Sequence, residues 1–539
     1  TASRTFTQPG TYQVTLTVTD EKGLKDSAVK TVQVNEPTVQ NEAPVAKGSP
    51  SKNSGEAPLT INFKGDLSTD DDAIVSYNWN FKDGNTSNEV NPTHTFENPG
   101  VYKVEFTVTD SDGATDSDID TITVSAPSNN NGGNTGGGNG NYPNGVKASS
   151  FGFKAGDATE AFQDAINSNH SVIIIDKQSS DWIIKPTRFF DTTNKTIIFE
   201  SGVVVRAKAG AFADKHAILI DLFRANNVTI EGYGATLKMN RNEYATSEFR
   251  HALKIYDSQN ITVKGLTIRE SGGDGININA KHTGYSSNIT LEDVVSTNNR
   301  RQAMSIISAK DVWVRNSTFK DTYGQNPQAG VDLEPDSPTQ RLQNINFINC
   351  KFTGNNNAGF KLAPHLLTKN STPISIKVNN CFFSNNGKSN SLDRPKAEIY
   401  LFSDISGTNV VKGNIEFNSC TIDGSQGRIL FSQKPSEGYY ATFNNCVAKN
   451  VVQSVSGAPI FLEGQAVAPT LGGFSFNNFR IEYSRNEAFM RIMSPPSTKL
   501  KNVQGTFVIK EPFDNEIEHN QNGNPDKGIN VNINYTHIN

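Results

Sequence analysis

The sequence predicts an all-β chain: two small β-sandwich modules at the N-terminus and a long β-solenoid behind them. Three observations predict it. Thr, Ser, Asn, Val, Ile and Phe outweigh any helical periodicity. A Pro-Gly-x-Tyr unit followed by an alternating strand occurs twice in the first 110 residues. Beyond residue 150, a turn Asn followed by a short alternating strand recurs to the end of the chain.

Bulk properties narrow the function classes. The 539 residues are too many for one compact core unless the core grows coil by coil, as in a solenoid. The chain is polar, with a mean hydropathy of -0.50, and its net charge of -5 disfavours bulk binding to nucleic acid. No apolar run nears the roughly 18 residues needed to span a membrane. The first residues already read as the inside of a module, so the true N-terminus is expected upstream; separately, the chain is expected to be secreted or displayed at the cell surface.

The two modules repeat one another. Thr5-Phe6-Thr7-Gln8-Pro9-Gly10-Thr11-Tyr12 matches Thr95-Phe96-Glu97-Asn98-Pro99-Gly100-Val101-Tyr102, and each leads into an alternating strand ending at Asp20 or Asp110. Period-two alternation marks a half-buried strand. The second copy adds Tyr77-Asn78-Trp79-Asn80-Phe81-Lys82-Asp83-Gly84, an aromatic strand entering an Asp-Gly turn. These residues resemble PKD domains, small immunoglobulin-like modules of bacterial exo-enzymes, with Lys82 in place of the family's usual glycine. The resemblance implies spacing, adhesion or weak glycan binding. It gives a partial PKD domain at 1–36 and a whole one at 44–125. Trp79 is read as a core tryptophan, with a sugar-stacking platform as the alternative. The carboxylates of Asp70-Asp71-Asp72 and Asp110-Ser111-Asp112 are possible Ca²⁺ ligands or solvated turn charges; no other cofactor is expected.

A Gly/Asn-rich linker at 126–143 separates these modules from the region 144–539. There the repeat reads Asn227-Val228-Thr229-Ile230, Asn260-Ile261-Thr262-Val263, Asn288-Ile289-Thr290-Leu291, Asp311-Val312-Trp313-Val314 and Asn344-Ile345-Asn346-Phe347. Spacings of roughly 23–39 residues mark stacked coils. A short helix over 157–166 would cap the first coil. Cys350, Cys381, Cys420 and Cys446 share like contexts and are read as one interior column, not as zinc ligands or a disulfide framework. Together with Asp157-Ala158-Thr159 and Phe162-Gln163-x-Ala165-Ile166, these features resemble the right-handed parallel β-helix of pectinase-type enzymes. That resemblance implies a fold and leaves the chemistry open.

Aligning the coils by their apolar positions yields a polar face. Leu253, Ile276, Met304, Val331 and Phe360 point inward, as do Ile255, Ile278, Ile306, Leu333 and Leu362. Lys254, Asn277, Ser305, Asp332 and Lys361 then form one outward column; Tyr256, Asn279, Ile307, Glu334 and Ala363 form the next. Arg250, His251, Asp274, Arg300, Arg301 and Gln302 lie at its edge, with Asp336 and His365 one step beyond. Coils about 4.8 Å apart bring such columns within reach of one sugar chain.

The densest chemistry is Asp332-Leu333-Glu334-Pro335-Asp336. Carboxylates this close push at least one pKa upward, giving the protonated acid and ionised base that glycoside hydrolysis needs. Solvated charges or Ca²⁺ ligands are the alternative. With Lys361 and Pro364-His365, the strand resembles the E-x-D and P-H signatures of iota-carrageenases. The resemblance implies Glu334 as general acid, Asp336 as the base that activates water, and His365 as an orienting group for a sulfated substrate. Asp274, in Gly273-Asp274-Gly275-Ile276, resembles a polygalacturonase strand, but that family's other signatures are missing and its chemistry is not expected.

The cations Lys254, Arg300, Arg301, Lys361 and His251, with Asn277, Gln302 and Asp274, fit an anionic polysaccharide, or else pair internally with the carboxylates. The leading expectation is a glycoside hydrolase in which Glu334 protonates the leaving oxygen while Asp336 or Asp332 activates water. A polysaccharide lyase using Lys254, Lys361 or an Arg as base is the second. A non-enzymatic glycan-binding adhesin is the third.

Overall fold

The computed structural model describes the chain apart from residues 1, 37–40, 57–58, 97–99, 126–144, 245–247, 389–395, 404–408, 452–456, 465–469, 494–497, 512–516, 520–528 and 539. The linker expected at 126–143 lies outside the described residues, as does Pro99. The chain divides into two compact units, Thr1–Gly132 and Gly133–Asn539.

The first unit holds an antiparallel hairpin, Gly10–Thr19 with Lys25–Val34, and a β-sandwich. The hairpin turns at Asp20, whose Oδ1 accepts the N–H groups of Lys22 and Leu24 at 2.8 and 2.9 Å. In the sandwich, a five-stranded sheet packs on a three-stranded one around Phe63, Trp79, Phe81, Phe96 and Phe106. Trp79 is fully buried, and its ring stacks on Phe106 with centroids 4.0 Å apart, so it belongs to the core. Lys82 adopts φ 60°, the left-handed conformation that a glycine would take without strain.

The second unit is a right-handed parallel β-helix. Each typical coil supplies three short strands, such as Leu253–Tyr256, Gln259–Lys264 and Thr267–Arg269. One strand per coil builds a twelve-stranded parallel sheet running from Thr187–Phe190 to Glu518–His519. The recurring Asn has a conformational cause. Asn227, Asn260, Asn288, Asp311 and Asn344 all sit at φ 50–57°, turning the chain in one residue. Asn and Asp tolerate this region better than other side chains with a Cβ. Their amides then link coil to coil, as in Asn227 to Asn194 at 2.7 Å.

Both expected inward columns are in register and fully buried. The four cysteines are free, buried and stacked; the Cys350 N–H donates to Cys381 Sγ at 3.3 Å. The helix spans Thr159–Asn167 and caps the first coils, its Phe162 packing on Trp182, Phe189 and Phe199. It starts two residues later than expected because Asp157 stays outside and accepts the Thr159 N–H. Among the described residues, no helix is long and apolar enough to cross a membrane.

Candidate active site

The twelve-stranded sheet presents the polar columns on its outward face. Register pairs Asp221 with Lys254, then Asn277, Ser305, Asp332, Lys361 and Tyr400, one residue per coil. Just ahead of these strands, His251, Asp274 and Gln302 fall on successive coils. Gly275 makes that approach possible. A Cβ there would stand 2.2 Å from Ser296 Oγ and 2.5 Å from Asn299 Nδ2, inside the coil.

Asp332 and Glu334 form the centre. Lys361 Nζ lies 3.0 Å from Asp332 Oδ2 and 3.2 Å from Glu334 Oε1, and Gln302 Nε2 donates to Asp332 Oδ2 at 2.5 Å. Arg301 reaches Glu334 at 3.8 Å and Asp274 at 3.2 Å. Asp332 is wholly buried, and burial pushes its carboxyl up to about 8, with Glu334 adding to the rise and Lys361 opposing it. Burial also acts on Glu334, but Lys361, the hydrogen bond from Asp332 and Arg301 together hold it below the usual range. The proton of the pair therefore resides on Asp332, and Glu334 is the ionised member. Asp336 is exposed beside them, its carboxyl raised by desolvation and by Glu334.

The other expected residues divide. Asp274 is fully buried, accepting from Ser305 Oγ at 2.6 Å, and Asn277 Nδ2 donates to that same hydroxyl at 2.8 Å. His251 Nδ1 accepts the Asp274 backbone N–H at 3.1 Å; burial and the neighbouring Lys254 and Arg301 keep the ring neutral. His365 is half-buried with Nδ1 3.1 Å from the Ala363 carbonyl. Lys254 lies three coils from Asp332, its Nζ 4.1 Å from the Tyr256 ring centroid. Arg300 turns away from the cluster toward Gly324 and Arg241. Arg250 leaves the polar face altogether, donating to the carbonyls of Phe212, Ala213 and Asp214. The cationic rim is thus partly internal: Arg301 and Lys361 are committed to carboxylates.

Sequence reading passed over Ser305 as a functional group and missed Glu398, a fully buried carboxyl bound to Asn386. The outward spacing of Ser305 was the available signal; Glu398 had none.

In the first unit, the Asp70 oxygens are enclosed with the backbone N–H groups of Asp71 and Asp72 favouring their charge, Asn41 Oδ1 is enclosed without a hydrogen-bond partner, and burial and the nearby Asp110 raise the Asp70 carboxyl. The Asn41 amide donates to Asp110 Oδ2 at 2.8 Å. Oxygen donors of this kind fit a hard cation such as Ca²⁺. Among the described residues, no cluster of three or more His, Cys, Asp or Glu side chains suits a metal ion.

The chain matches the PKD domain over residues 1–35 and 41–124, and the right-handed β-helix region over residues 216–389. It is 51% identical over 65 residues to collagenase ColQ1 of Bacillus cereus (strain Q1), covering 12% of this chain. It spans only 7% of that collagenase's length. The crystal structure of PfbA, a surface adhesin of Streptococcus pneumoniae, superposes on 72% of this chain and 99% of its own, with a TM-score of 0.50 at 13% identity. A family 28 exopolygalacturonase of Yersinia enterocolitica covers 92% of this chain and 99% of its own, with a TM-score of 0.39 at 10% identity. The PfbA likeness is one of fold.

Proposed function

We propose that this chain is a secreted or surface-displayed glycoside hydrolase that cleaves an anionic, sulfated or uronate-containing polysaccharide. The observation that carries the reading is the Asp332–Glu334 pair, two carboxyls sharing one proton on an outward face under Lys361 and Arg301. Such a pair keeps Glu334 available as an ionised base while Asp332 beside it stays protonated. Glu334, ionised and half-exposed, takes a proton from water as the water oxygen attacks the anomeric carbon. Asp336, its carboxyl raised, gives its proton to the departing glycosidic oxygen. These roles reverse those implied by the carrageenase resemblance, because Lys361 and Arg301 favour the charged form of Glu334. Asp332, Gln302 and Asp274 hold Glu334 and Arg301 in place, while Asn277 reaches the network through Ser305. His365 and Lys254 flank the groove and bind substrate.

The second reading is a lyase. One observation favours it: burial lowers the pKa of Lys254, which has no carboxylate within ion-pair distance among the described residues, as suits a base removing the proton α to a uronate carboxyl.

The purified chain would be incubated with carrageenans, alginate, pectate and glycosaminoglycans while reducing ends and unsaturated-uronate absorbance are recorded together. Reducing ends alone, abolished in Glu334→Gln, are expected. Absorbance as well would transfer the chemistry to Lys254, and silence on every substrate would favour an adhesin.

We further propose that Asp70, Asp110 and Asn41 hold a Ca²⁺ ion that stiffens the sandwich; the β-helix chemistry needs no cofactor.

A further inference from the structure

A cavity of about 460 Å³ opens on the flank of the β-helix, lined in part by Arg206, Lys238, Asn240, Arg241, Asn298 and Tyr323. Its size falls in the range of small-ligand sites, about 300–1,000 Å³. Its cations come from the stacking itself: Arg206, Lys238 and Arg269 are paired in register on successive coils. Asp181 answers Arg206 at 2.6 Å, while Lys238, at 3.4 Å, and Arg269 share the single carboxylate of Glu270. Arg241 adds a further cation. It is 7% exposed, its Nε has no hydrogen-bond partner, and its Nη2 donates to the Tyr323 carbonyl. The guanidinium covers the Tyr323 ring, 3.1 Å from the centroid, yet Tyr323 remains 48% exposed.

We infer that this cavity is a second sugar-binding site, taking an acidic monosaccharide unit whose carboxylate or sulfate meets Lys238 and Arg241. Glu243 also lines the cavity, so Arg206, Lys238, Arg241 and Arg269 outnumber Asp181, Glu243 and Glu270 by one, and that excess selects the charge. The exposed part of Tyr323 offers an apolar surface to the sugar ring, and the amides of Asn240 and Asn298 supply donors and acceptors for hydroxyls. Consecutive residues tie the cavity to the groove. Arg301 enters the carboxylate cluster at Asp274 and Glu334, while Arg300 turns toward Arg241. The two sites are thus joined through one peptide bond of the chain. The inference rests on the proposed function only for the source of its ligand, because binding here does not require cleavage at Glu334.

The test is calorimetric titration of the full chain with D-galacturonate, D-glucuronate and D-galactose 4-sulfate, with D-galactose as the uncharged control. At least one charged sugar is expected to bind and D-galactose to bind at least about tenfold more weakly. Lys238→Met and Tyr323→Ala, each confirmed as folded by circular dichroism, should weaken the charged sugar about tenfold or more, whereas Glu334→Gln should leave its affinity unchanged. Equal binding of D-galactose, no binding of any charged sugar, or a loss confined to Glu334→Gln would each overturn the site. Failure of the hydrolase reading would show instead as absent cleavage with these affinities intact.

Discussion

Lys361 Nζ lies 3.0 Å from Asp332 Oδ2, one coil away on the same outward column, and the same ammonium stands 3.2 Å from Glu334 Oε1. A single cation thus serves two carboxyls of unequal depth. Burial drives the proton onto Asp332, and the half-exposed Glu334 keeps the charge. Division of labour between two adjacent carboxyls follows from their depth, not from their residue type.

Replacing Lys361 by Met removes the cation that lowers both carboxyl pKa values. Both limbs of the pH profile of kcat/KM should then move upward, and activity at neutral pH should fall by about tenfold or more. The folded state should lose about 3 kcal/mol, measured by denaturant unfolding, because carboxyls remain behind without their counter-ion. Lys361→Arg should restore most of both. A pH profile that does not move in the Met variant would remove Lys361 from the electrostatics of the site.

Glu398 should make the β-helix lose stability as the solution turns alkaline. Its carboxyl is fully buried, and burial raises it from 4.5 to about 7, with Asn386 and Ser425 opposing the rise. Below 4.5 it is protonated whether the chain is folded or not. Between the two values only the folded chain holds the proton, so stability falls through that window and the loss is complete above about 7. The shift corresponds to about 3 kcal/mol. Glu398→Gln should lack this component, so the stability gap between wild type and variant should change by that amount from pH 4 to pH 8. A constant gap would mean that the buried carboxyl does not titrate in this range.

Calcium should stabilise the N-terminal sandwich. At a hundredfold excess over its Kd, a bound ion adds about 2.7 kcal/mol. Calorimetry of the full chain should show one transition rising with Ca²⁺ and falling with a chelator. Asp70→Asn should abolish that response and, without Ca²⁺, should itself stabilise, because it removes the carboxylate facing Asp110. A response that survives in Asp70→Asn would place the ion elsewhere.

The coil alignment was legible because alternation leaves little choice. Once Leu253, Ile276, Met304, Val331 and Phe360 must face inward, Lys254, Asn277, Ser305, Asp332 and Lys361 must face outward, and register then stacks them. The turn Asn residues were equally legible, since a one-residue corner demands a side chain that tolerates positive φ. Arg250 was misread because a residue just ahead of a strand is not bound by the alternation. It turned instead to the carbonyls of Phe212, Ala213 and Asp214 on the preceding coil.

The sequence by itself determined the repeat, the inward and outward columns, the buried tryptophan and the concentration of carboxylates at 332–336. These follow from neighbours along the chain, where φ/ψ limits and side-chain period act. Only the tertiary structure decided that Glu334 rather than Asp332 carries the charge, that Arg301 and Lys361 are internally paired, and that Arg206, Lys238, Arg241 and Tyr323 line one cavity. Those outcomes depend on burial depth and on groups brought together from coils distant in sequence, and Coulomb and desolvation energies respond to distance in space.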